Sequence, residues 1–383
     1  MLLSGIRIVE LGQILAAPFA AEILADLGAE VIKVEKPGGD DARQWGPPFW
    51  EGDAALFHQM NRNKQSVVLD AKDPGQYAQL LELIGSADVF LHNLRPGAVE
   101  DLRLGPELLQ ARFPQLVYAD IGAFGHVGPM RAKPGYELLV QAFGGPMSIT
   151  GEPDGDPVRC GPSINDLGTG MWAVIGILSA LLRRITTKQG CLVQTSLLET
   201  ALCWIGIPAA NYLVSGDAPK RHGVGHPSVV PYQIFQTKTG ALVVAAGNDR
   251  LFNKLADVLG RAEWKKDARY ITNSARVMNR SSLQNSLRAI LATRSKEDWV
   301  TAFEAAGIPC APVLTIPEVL EEQQTKALGM LQVISGTAGM QLIGLPLSFD
   351  GQRPKPRLLS PKLGAHTEVV LGALSASKER LPQ

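Results

Sequence analysis

Apolar runs and helix-like stretches alternate along the first third of the chain. Apolar runs predict strands at residues 6–11, 30–35, 66–70, 88–92 and 116–121, and the stretches between them predict helices at 16–27, 75–85 and 98–112. Strands that alternate with helices at this spacing form βαβ units, in which successive strands are parallel. The pattern therefore predicts an α/β fold with an open, doubly wound sheet of the Rossmann kind.

The pattern changes after residue 133. An uncharged run at 167–182 predicts a buried helix, 190–196 a further strand, and 197–214 another apolar helix. A Gly- and Pro-rich link at 221–235 then leads to a smaller strand-and-helix unit, with helices at 249–260, 281–293 and 296–306 between strands at 241–246 and 310–314. We expect a large Rossmann-like domain at 1–215, rejoined by 335–383, and a linker with a small α/β domain at 216–334.

Composition narrows the functional classes. The 383 residues are 45% hydrophobic, and Lys plus Arg equals Asp plus Glu at 37 each, so the chain lacks the basic surface that nucleic-acid binding needs. The four Cys are far apart, which indicates reduced thiols, and the six His show no metal-ligand spacing, so we expect no metal site. Without a signal peptide or an uninterrupted apolar run of spanning length, we expect no membrane association. The expected location is the cytoplasm, or the mitochondrial matrix if a transit peptide was removed.

A single carboxylate, Asp166, stands immediately before the long apolar run. Asn165 and Asp166 are both N-cap residue types, so the simplest interpretation is that Asp166 caps a core helix. However, Gly168 and Gly170 follow in the first turn, where Gly is a poor helix former. Such glycines mark places where another group approaches the backbone closely. The residues alone leave open whether Asp166 is a cap or a functional anion.

Basic and amide side chains follow the predicted strand ends. Ligands of doubly wound sheets bind beyond the carboxyl ends of the strands, and a phosphorylated cofactor would use such side chains there. The basic and amide candidates are Gln13, Lys36, Arg43, Lys72, Asn93 and Arg95, and Leu15 is a candidate because it also follows the first strand. Solvated loops are the alternative. The first strand–helix turn lacks G-x-G-x-x-G, which argues against a nicotinamide dinucleotide.

Taken together, the motifs resemble the class III coenzyme A transferases (the CaiB/BaiF family), which include formyl-CoA transferase and the carnitine CoA-transferase. The resemblance covers nearly the whole chain. It rests on the segments 3–9, 24–37, 39–43, 61–70, 88–97, 122–129, Gly135-Tyr136-Glu137 and 363–367. The number and order of these motifs make it specific.

The resemblance implies that Asp166 is the catalytic carboxylate, which reverses the capping interpretation. It implies CoA binding, as a substrate and not as a permanently bound cofactor, by Leu15, Lys36, Arg43, Leu69, Lys72, Asn93, Arg95, Tyr136 and Glu137. It also implies an interlocked homodimer, with the active site where the large and small domains meet. The expected chemistry passes through an aspartyl anhydride and an aspartyl-CoA thioester, and N–H groups at the helix start would stabilise an oxyanion.

Two alternatives are a 2-methylacyl-CoA racemase of the same superfamily and a CoA-binding paralogue without turnover. The racemases carry Gly-His-Asp where this chain has Gly135-Tyr136-Glu137, so the expected basic His is absent. His126 lies in the preceding loop and is expected to be structural. A non-catalytic paralogue would have no use for Asp166.

Departures from formyl-CoA transferase bear on the acceptor acid. Leu15 takes the position of a Gln of that enzyme, and its run of consecutive glycines is missing here. The segments 39–43 and 221–227 are more similar to the branch acting on small dicarboxylates such as oxalate, glutarate, succinate or itaconate. Arg221, His222 and His226 are candidates for binding the second carboxylate.

Overall fold

The computed structural model describes residues 1–334 and 339–379 and divides the chain into two units. The first contains Met1–Pro146, Arg159–Ala210 and the chain from Gln323 onward, and the second contains Met147–Val158 and Asn211–Glu322. The expected boundaries at 215 and 335 differ from this division, and 335–338 and 380–383 lie outside the described residues. Residues 147–158 belong to the second unit because the Arg221 side chain donates to the main-chain oxygens of Glu152 and Gly155.

The first unit is built on a six-stranded parallel sheet. Its strands are β1 (Arg7–Leu11), β2 (Glu30–Glu35), β3 (Lys64–Val68), β4 (Val89–His92), β5 (Val117–Gly122) and β6 (Leu192–Ser196). The spatial order is β3-β2-β1-β4-β5-β6, and every neighbouring pair is parallel. This is the Rossmann order, whose direction reverses between β1 and β4. The predicted α/β class with a parallel sheet is confirmed.

Helices cover both faces of the sheet and fill the connections. In the first unit they are Ala16–Asp26, Ala55–Asn61, Pro74–Gly85, Ala98–Asp101, Pro106–Arg112, Glu137–Phe143, Ile164–Thr187, Leu197–Trp204, Gln323–Ala327 and Thr367–Glu379, while Gly206–Ser215 crosses into the second unit. Two predicted helices are divided. Residues 98–112 break before Gly105-Pro106, and 197–214 bend by 61° near Gly206 and Pro208, since proline lacks the N–H that continues a helix.

Short ribbons and turns complete the first unit. They are the antiparallel pairs Phe49–Trp50 with Asp53–Ala54 and Leu331–Val333 with Gln341–Ile343, and the 3₁₀ turn Asp41–Gln44; a second 3₁₀ turn, Pro146–Ser148, crosses the unit boundary. The C-terminal part returns to the sheet, where the main-chain N–H of His366 donates to Ser66 O in β3.

The second unit has its own antiparallel sheet and apolar core. Its strands are Tyr232–Gln236, Ala241–Ala245 and Cys310–Pro312. Its helices are Asp249–Val258, Asn273–Met278, Arg280–Leu291, Lys296–Ala305 and Ile316–Glu321, with a 3₁₀ turn at Ala262–Lys265. The strand at Tyr232 lies in a segment that the sequence indicated only as a link. Buried Phe252, Trp299 and Phe303 anchor the core of this unit.

The helix Ile164–Thr187, called the long helix below, packs on the sheet beside the helix Ala16–Asp26. It is longer than the predicted 167–182. By length and composition it is long and apolar enough to cross a membrane, as are Leu197–Trp204 and Gly206–Ser215 if counted together. Half of its most apolar window is buried within the described chain.

Candidate active site

Asp166 lies in the first turn of the long helix. The helix begins at Ile164 with Ser163 as its N-cap, so Asn165 and Asp166 are not caps as their residue types suggested. The Ser163 side chain makes no capping hydrogen bond. Instead, the main-chain N–H of Asn165 donates to Oε1 of Glu137 over 3.2 Å. A carboxylate from another helix therefore accepts a hydrogen bond from one of the N–H groups that the first turn of the long helix leaves without a partner inside the helix.

The Asp166 carboxylate itself is partly buried and has no hydrogen-bond or ion-pair partner among residues 1–334 and 339–379. Burial, followed by the charge of Glu137, raises the pKa of Asp166 to about 7. Desolvation and a neighbouring anion both disfavour the charged form of a carboxyl group. Asp166 is thus an unpaired group that changes charge near neutral pH, a combination typical of functional residues.

A fully buried glutamine supports this arrangement. The Nε2 of Gln141 donates to Glu137 Oε1 over 2.7 Å, and its Oε1 accepts from the main-chain N–H of Cys160 over 2.8 Å. Oε2 of Glu137 and both polar side-chain atoms of Asn165 are buried without partners among the described residues. The surroundings of Asp166 therefore contain polar groups whose hydrogen bonds the described chain does not complete.

Gly168 and Gly170 are sites of close approach, as expected, but the approaching groups are other helices. A Cβ on Gly168 would lie 2.5 Å from the Trp204 ring, and one on Gly170 would lie 2.9 Å from the main-chain oxygen of Ala16. The glycines therefore let the long helix pack tightly against its neighbours.

The expected oxyanion-binding N–H groups are mostly occupied. The N–H of Ile164 donates to Pro162 O, that of Asn165 to Glu137, and that of Leu167 to Ser163 O. The start of the long helix thus offers fewer free donors than its sequence indicated.

The carboxyl ends of β1 and β4 meet through an amide pairing. Oδ1 of Asn93 accepts from the Gln13 N–H over 2.8 Å, and Nδ2 of Asn93 donates to Gln13 O over 2.9 Å. These residues lie where the strand order reverses, which is the ligand position of Rossmann-type sheets. The side chain of Asn93, expected to contact CoA, is thus used to hold the turn after β1.

Buried ions hold the same turn from beneath. Ile14 has a left-handed backbone with φ of 67°, and its N–H donates to Oδ1 of Asp40 over 3.0 Å. Nζ of Lys33 contacts Oδ2 of Asp40 at 2.9 Å, Oε1 of Glu10 at 3.0 Å and Gly12 O at 2.8 Å. A left-handed backbone conformation is strained for a β-branched residue. These hydrogen bonds and ion pairs therefore stabilise the turn in a conformation that is unfavourable for Ile14 itself.

Beside the turn lies a cleft of about 180 Å³ at the carboxyl ends of the strands. It brings together three of the predicted CoA-binding residues, Lys36, Leu69 and Lys72, with Gln13 and Leu94. A larger cleft of about 410 Å³ lies at the amino ends of the strands, and none of the predicted site residues lines it.

Arg43 differs from the expectation of a phosphate-binding cation. Its buried guanidinium donates twice to Glu35, to Asp53 over 2.8 Å and to Pro361 O, and it stacks on the Phe57 ring. Its donors are taken up by the protein, so the structure gives it a structural role.

The remaining predicted residues vary in exposure. Arg95 is exposed without a side-chain partner among the described residues, and Lys36 pairs with Asp41 over 2.6 Å at the surface. Tyr136 is exposed, whereas Leu15 is buried at the start of the helix Ala16–Asp26. Arg95, Lys36 and Lys72 are therefore the predicted cations that remain accessible.

His126 and Arg221 are engaged within their own units. Nε2 of His126 lies 3.0 Å from Oδ2 of Asp120 at the end of β5, and hydrogen bonding to that carboxylate raises the pKa of His126. Arg221 donates through Nε and Nη2 to the loop carbonyls of Glu152 and Gly155. His126 thus fits its expected role in loop structure, and Arg221 stabilises the segment 147–158.

Sequence reasoning did not single out Gln141 or Lys33, and it treated Asn165 only as a helix cap. Gln141 follows Glu137 by four residues, a spacing at which helix side chains meet, and that signal could have identified it. Lys33 alternates with apolar residues in β2 and was indistinguishable from a surface position.

The family of the chain follows from comparison with known proteins. A family model described as CoA-transferase family III matches residues 3–367. The chain is 40% identical over 375 residues to a succinyl-CoA:glutarate CoA-transferase of Mus musculus, covering 96% of this chain and 85% of the relative. It is 38% identical over 363 residues to an acetyl-CoA:oxalate CoA-transferase of Acetobacter aceti, covering 94% and 92%.

Comparison with solved structures gives the same family. A CaiB/BaiF family protein from Brucella suis matches with a TM-score of 0.89 and 39% identity, over 97% of this chain and 99% of that chain. These matches span both structural units, and they confirm the family expected from the motifs. The chain belongs to CoA-transferase family III and is a CoA-transferase.

Proposed function

We propose that this protein moves CoA from an acyl-CoA donor to a small dicarboxylic acid by covalent catalysis at Asp166. The observation that carries the proposal is the unpartnered Asp166 carboxylate, whose pKa of about 7 keeps a large ionised fraction at neutral pH. The two relatives above are named for transfer to glutarate and to oxalate, which supports a dicarboxylate as acceptor.

The first half of the reaction transfers CoA to the enzyme. The Asp166 carboxylate attacks the thioester carbonyl, the C–S bond breaks, and CoA thiolate leaves a mixed anhydride on Asp166. The thiolate then attacks the aspartyl carbonyl and breaks the anhydride C–O bond. The donor acid departs as a carboxylate, and Asp166 carries CoA as a thioester.

The second half repeats these steps in reverse. The acceptor carboxylate attacks the aspartyl thioester and expels CoA thiolate, which then attacks the acceptor carbonyl of the new anhydride. Acceptor-CoA leaves, and the Asp166 carboxylate is restored. Each step exchanges one anion for another, so no proton is consumed. Water would hydrolyse both intermediates, and the apolar long helix behind Asp166 helps to exclude it.

The CoA moiety is proposed to bind at the carboxyl end of the sheet. Lys36 and Lys72 line the cleft there, and Arg95 follows β4 on the same side. Accessible cations suit the phosphates of CoA. The turn held by Asn93 and Asp40 forms one wall of this cleft.

A second carboxylate on the acceptor needs a cationic partner, and Arg159 is the candidate nearest to Asp166 in sequence within the first unit. Its guanidinium is exposed and folds back to donate to the main-chain oxygens of Cys160 and Gly161 over 3.1 and 2.6 Å. The N–H of the next residue, Cys160, donates to Gln141, and this hydrogen bond fixes the main chain beside Arg159. These contacts orient Arg159 and leave Nη1 without a partner among the described residues.

The proposed assembly is an interlocked homodimer. The long helix exposes the apolar side chains of Met171, Ile175, Leu182 and Ile185, at spacings of four, seven and three residues that keep them on one face. Ile185 is 65% and Leu182 69% exposed in the single chain. Contiguous apolar surface of this kind supports burial against a second copy. Light scattering after size exclusion should give twice the mass of one chain, and a monomer active in transfer would contradict this.

The experiment that tests the proposed function is an acceptor panel. The protein is incubated with succinyl-CoA or acetyl-CoA and with mono- or dicarboxylic acids, and new CoA thioesters are identified by mass spectrometry. We expect dicarboxylates of two to five carbons to accept CoA. Arg159→Met should lower kcat/KM about tenfold for dicarboxylates and leave monocarboxylates unaffected, while the matched surface change Arg112→Met should alter neither.

The racemase alternative is tested in a separate incubation. A chiral 2-methylacyl-CoA in deuterated water should gain no deuterium at its alpha carbon at a catalytic rate. Deuterium incorporation without any CoA exchange would assign the chain to the racemase branch, and the absence of both would favour a non-catalytic CoA-binding protein.

A further inference from the structure

Gln141 is a buried amide that joins the helix Glu137–Phe143 to the loop that precedes Asp166. It is fully excluded from solvent, and both ends of its side chain are used: Nε2 on Glu137 and Oε1 on the Cys160 N–H. Glu137 in turn accepts from the N–H of Asn165, the residue before Asp166. A continuous set of hydrogen bonds thus connects the loop leading into the long helix with the first turn of that helix.

We propose that Gln141 is a positioning residue for the reaction: it holds the Glu137 carboxylate against the start of the long helix and so sets the electrostatic surroundings in which Asp166 ionises. This inference rests on the proposed function only for its consequence in catalysis. The hydrogen-bond geometry on which it depends is independent of the substrate.

Few other groups are able to orient Glu137. Its Oε2 has no hydrogen-bond partner among the described residues, so Oε1 carries the contacts that fix it, one from Gln141 and one from Asn165. Loss of the Gln141 donor would leave a single, longer hydrogen bond of 3.2 Å. The carboxylate would then turn toward water, because an ionised group gains solvation there.

Other charged groups near this network are engaged elsewhere. Glu199, on the neighbouring helix Leu197–Trp204, accepts from the Ser196 hydroxyl, and the Arg159 guanidinium donates to carbonyl oxygens of its own loop. Cys160, whose main-chain N–H donates to Gln141, carries a free thiol. Besides burial, Glu137 is the charge that acts on the pKa of Asp166.

Two substitutions of Gln141 should act in opposite directions. Gln141→Met keeps the length of the side chain but removes both hydrogen bonds, so Glu137 is released and the Asp166 carboxyl should ionise at lower pH. Gln141→Glu also loses the donor to Glu137, but its carboxyl group still accepts from the Cys160 N–H and, when ionised, adds a second anion near Asp166, so Asp166 should ionise at higher pH. A purely structural role would weaken the fold without separating the two variants.

The readout is the pH dependence of carbodiimide modification at Asp166, followed by peptide mass spectrometry without substrate. We expect a midpoint near 7 for the unmodified protein, a decrease of at least about 0.5 pH unit in Gln141→Met, and an increase of similar size in Gln141→Glu. Glu137→Gln should shift the midpoint down further than Gln141→Met.

Gln59 provides the matched control. Its side-chain amide donates to the Ile343 carbonyl over 2.9 Å and accepts from the Ile343 N–H over 3.1 Å. Neither contact involves the Asp166 network. Gln59→Met and Gln59→Glu should leave the midpoint unchanged. Equal midpoints in both Gln141 variants, or shifts in the same direction, would overturn the inference, and if one variant fails to fold, the sign of the other decides. Failure of the unmodified protein to transfer CoA would contradict the proposed function alone, since this readout needs no turnover.

Discussion

Asn93 pairs its side-chain amide with both main-chain polar groups of Gln13, over 2.8 and 2.9 Å. The pairing ties the carboxyl end of β4 to the turn after β1, at the point where the sheet changes direction. The turn also contains Ile14 in a left-handed conformation. The site therefore depends on a strained turn that side chains from other strands hold in place.

The first prediction concerns this pairing. Asn93→Leu leaves the Gln13 N–H and carbonyl unpaired in a partly buried position, which costs about 1–3 kcal/mol in the free energy of unfolding. We also expect KM for every acyl-CoA to rise several-fold, because the turn lines the proposed CoA cleft. Steady-state kinetics and urea unfolding measure the two effects. Asn93→Asp can still accept from the Gln13 N–H, so its stability and KM should lie between those of the unmodified protein and Asn93→Leu. An unchanged KM in Asn93→Leu would show that the turn does not contribute to CoA binding.

The second prediction separates a binding cation from a structural one. Arg95→Glu should raise KM about tenfold for all acyl-CoAs alike, since the CoA part is common to all, without loss of stability. Arg43→Met should instead destabilise the fold by about 3–5 kcal/mol, because it leaves Glu35 buried without its cation. Kinetics and denaturant titration distinguish them. The assignment is wrong if Arg95→Glu unfolds the protein or Arg43→Met changes only KM.

The third prediction concerns pH and activity. Attack on the thioester needs the Asp166 carboxylate, and its pKa is about 7. The kcat/KM for acyl-CoA should therefore fall tenfold for each pH unit below about 6.5 and level off above about 7.5. A profile that is flat between pH 5.5 and 8 would show that Asp166 is not the group titrating in the free enzyme.

The fourth prediction concerns pH and stability. The folded protein raises the pKa of Asp166 above its usual 3.8, so this group favours folding below pH 3.8 relative to higher pH, and that contribution is lost as the pH rises to about 7. An asparagine side chain at this position would remain neutral throughout. We expect Asp166→Asn to match the unmodified protein near pH 3.5 and to exceed its unfolding free energy by about 2 kcal/mol at pH 8. Equal stabilities at pH 8 would contradict the raised pKa.

The sheet was predictable because buried parallel strands appear as continuous apolar runs, separated by helices of regular length. β1, β2 and β4 lie within one residue of their predicted bounds, whereas β3 begins two residues earlier at Lys64. Lys64 lies outside the predicted strand, yet it belongs to β3 and its Nζ is buried on Pro18 O, Asn61 and Glu10. Local apolar patterning cannot reveal that a buried lysine has partners from distant segments.

The candidate site was predictable in part. Motifs pointed to Asp166, Glu137 and the strand-end cations, but the sequence does not show whether a polar side chain faces a ligand or the protein itself. Asn93 and Arg43 follow strands in the same way as Arg95, and both contact the protein instead. Within the described chain Arg43 is paired and Arg95 is not, because Glu35 and Asp53 come close to the Arg43 guanidinium only in the folded chain. The spacing of Gln141 from Glu137 was a usable signal, but its second partner, the Cys160 N–H, belongs to a segment that only folding brings close.

The central claim is that Asp166 carries CoA as a covalent thioester. The most direct measurement is to mix the protein with succinyl-CoA alone, quench with acid, and analyse the peptide that contains Asp166 by mass spectrometry. We predict a CoA adduct on Asp166 that hydroxylamine removes and that is absent in Asp166→Asn, together with a transfer rate below about a hundredth of the unmodified rate in that variant. An adduct on another residue, or transfer by Asp166→Asn above that level once deamidation is excluded, would contradict the account.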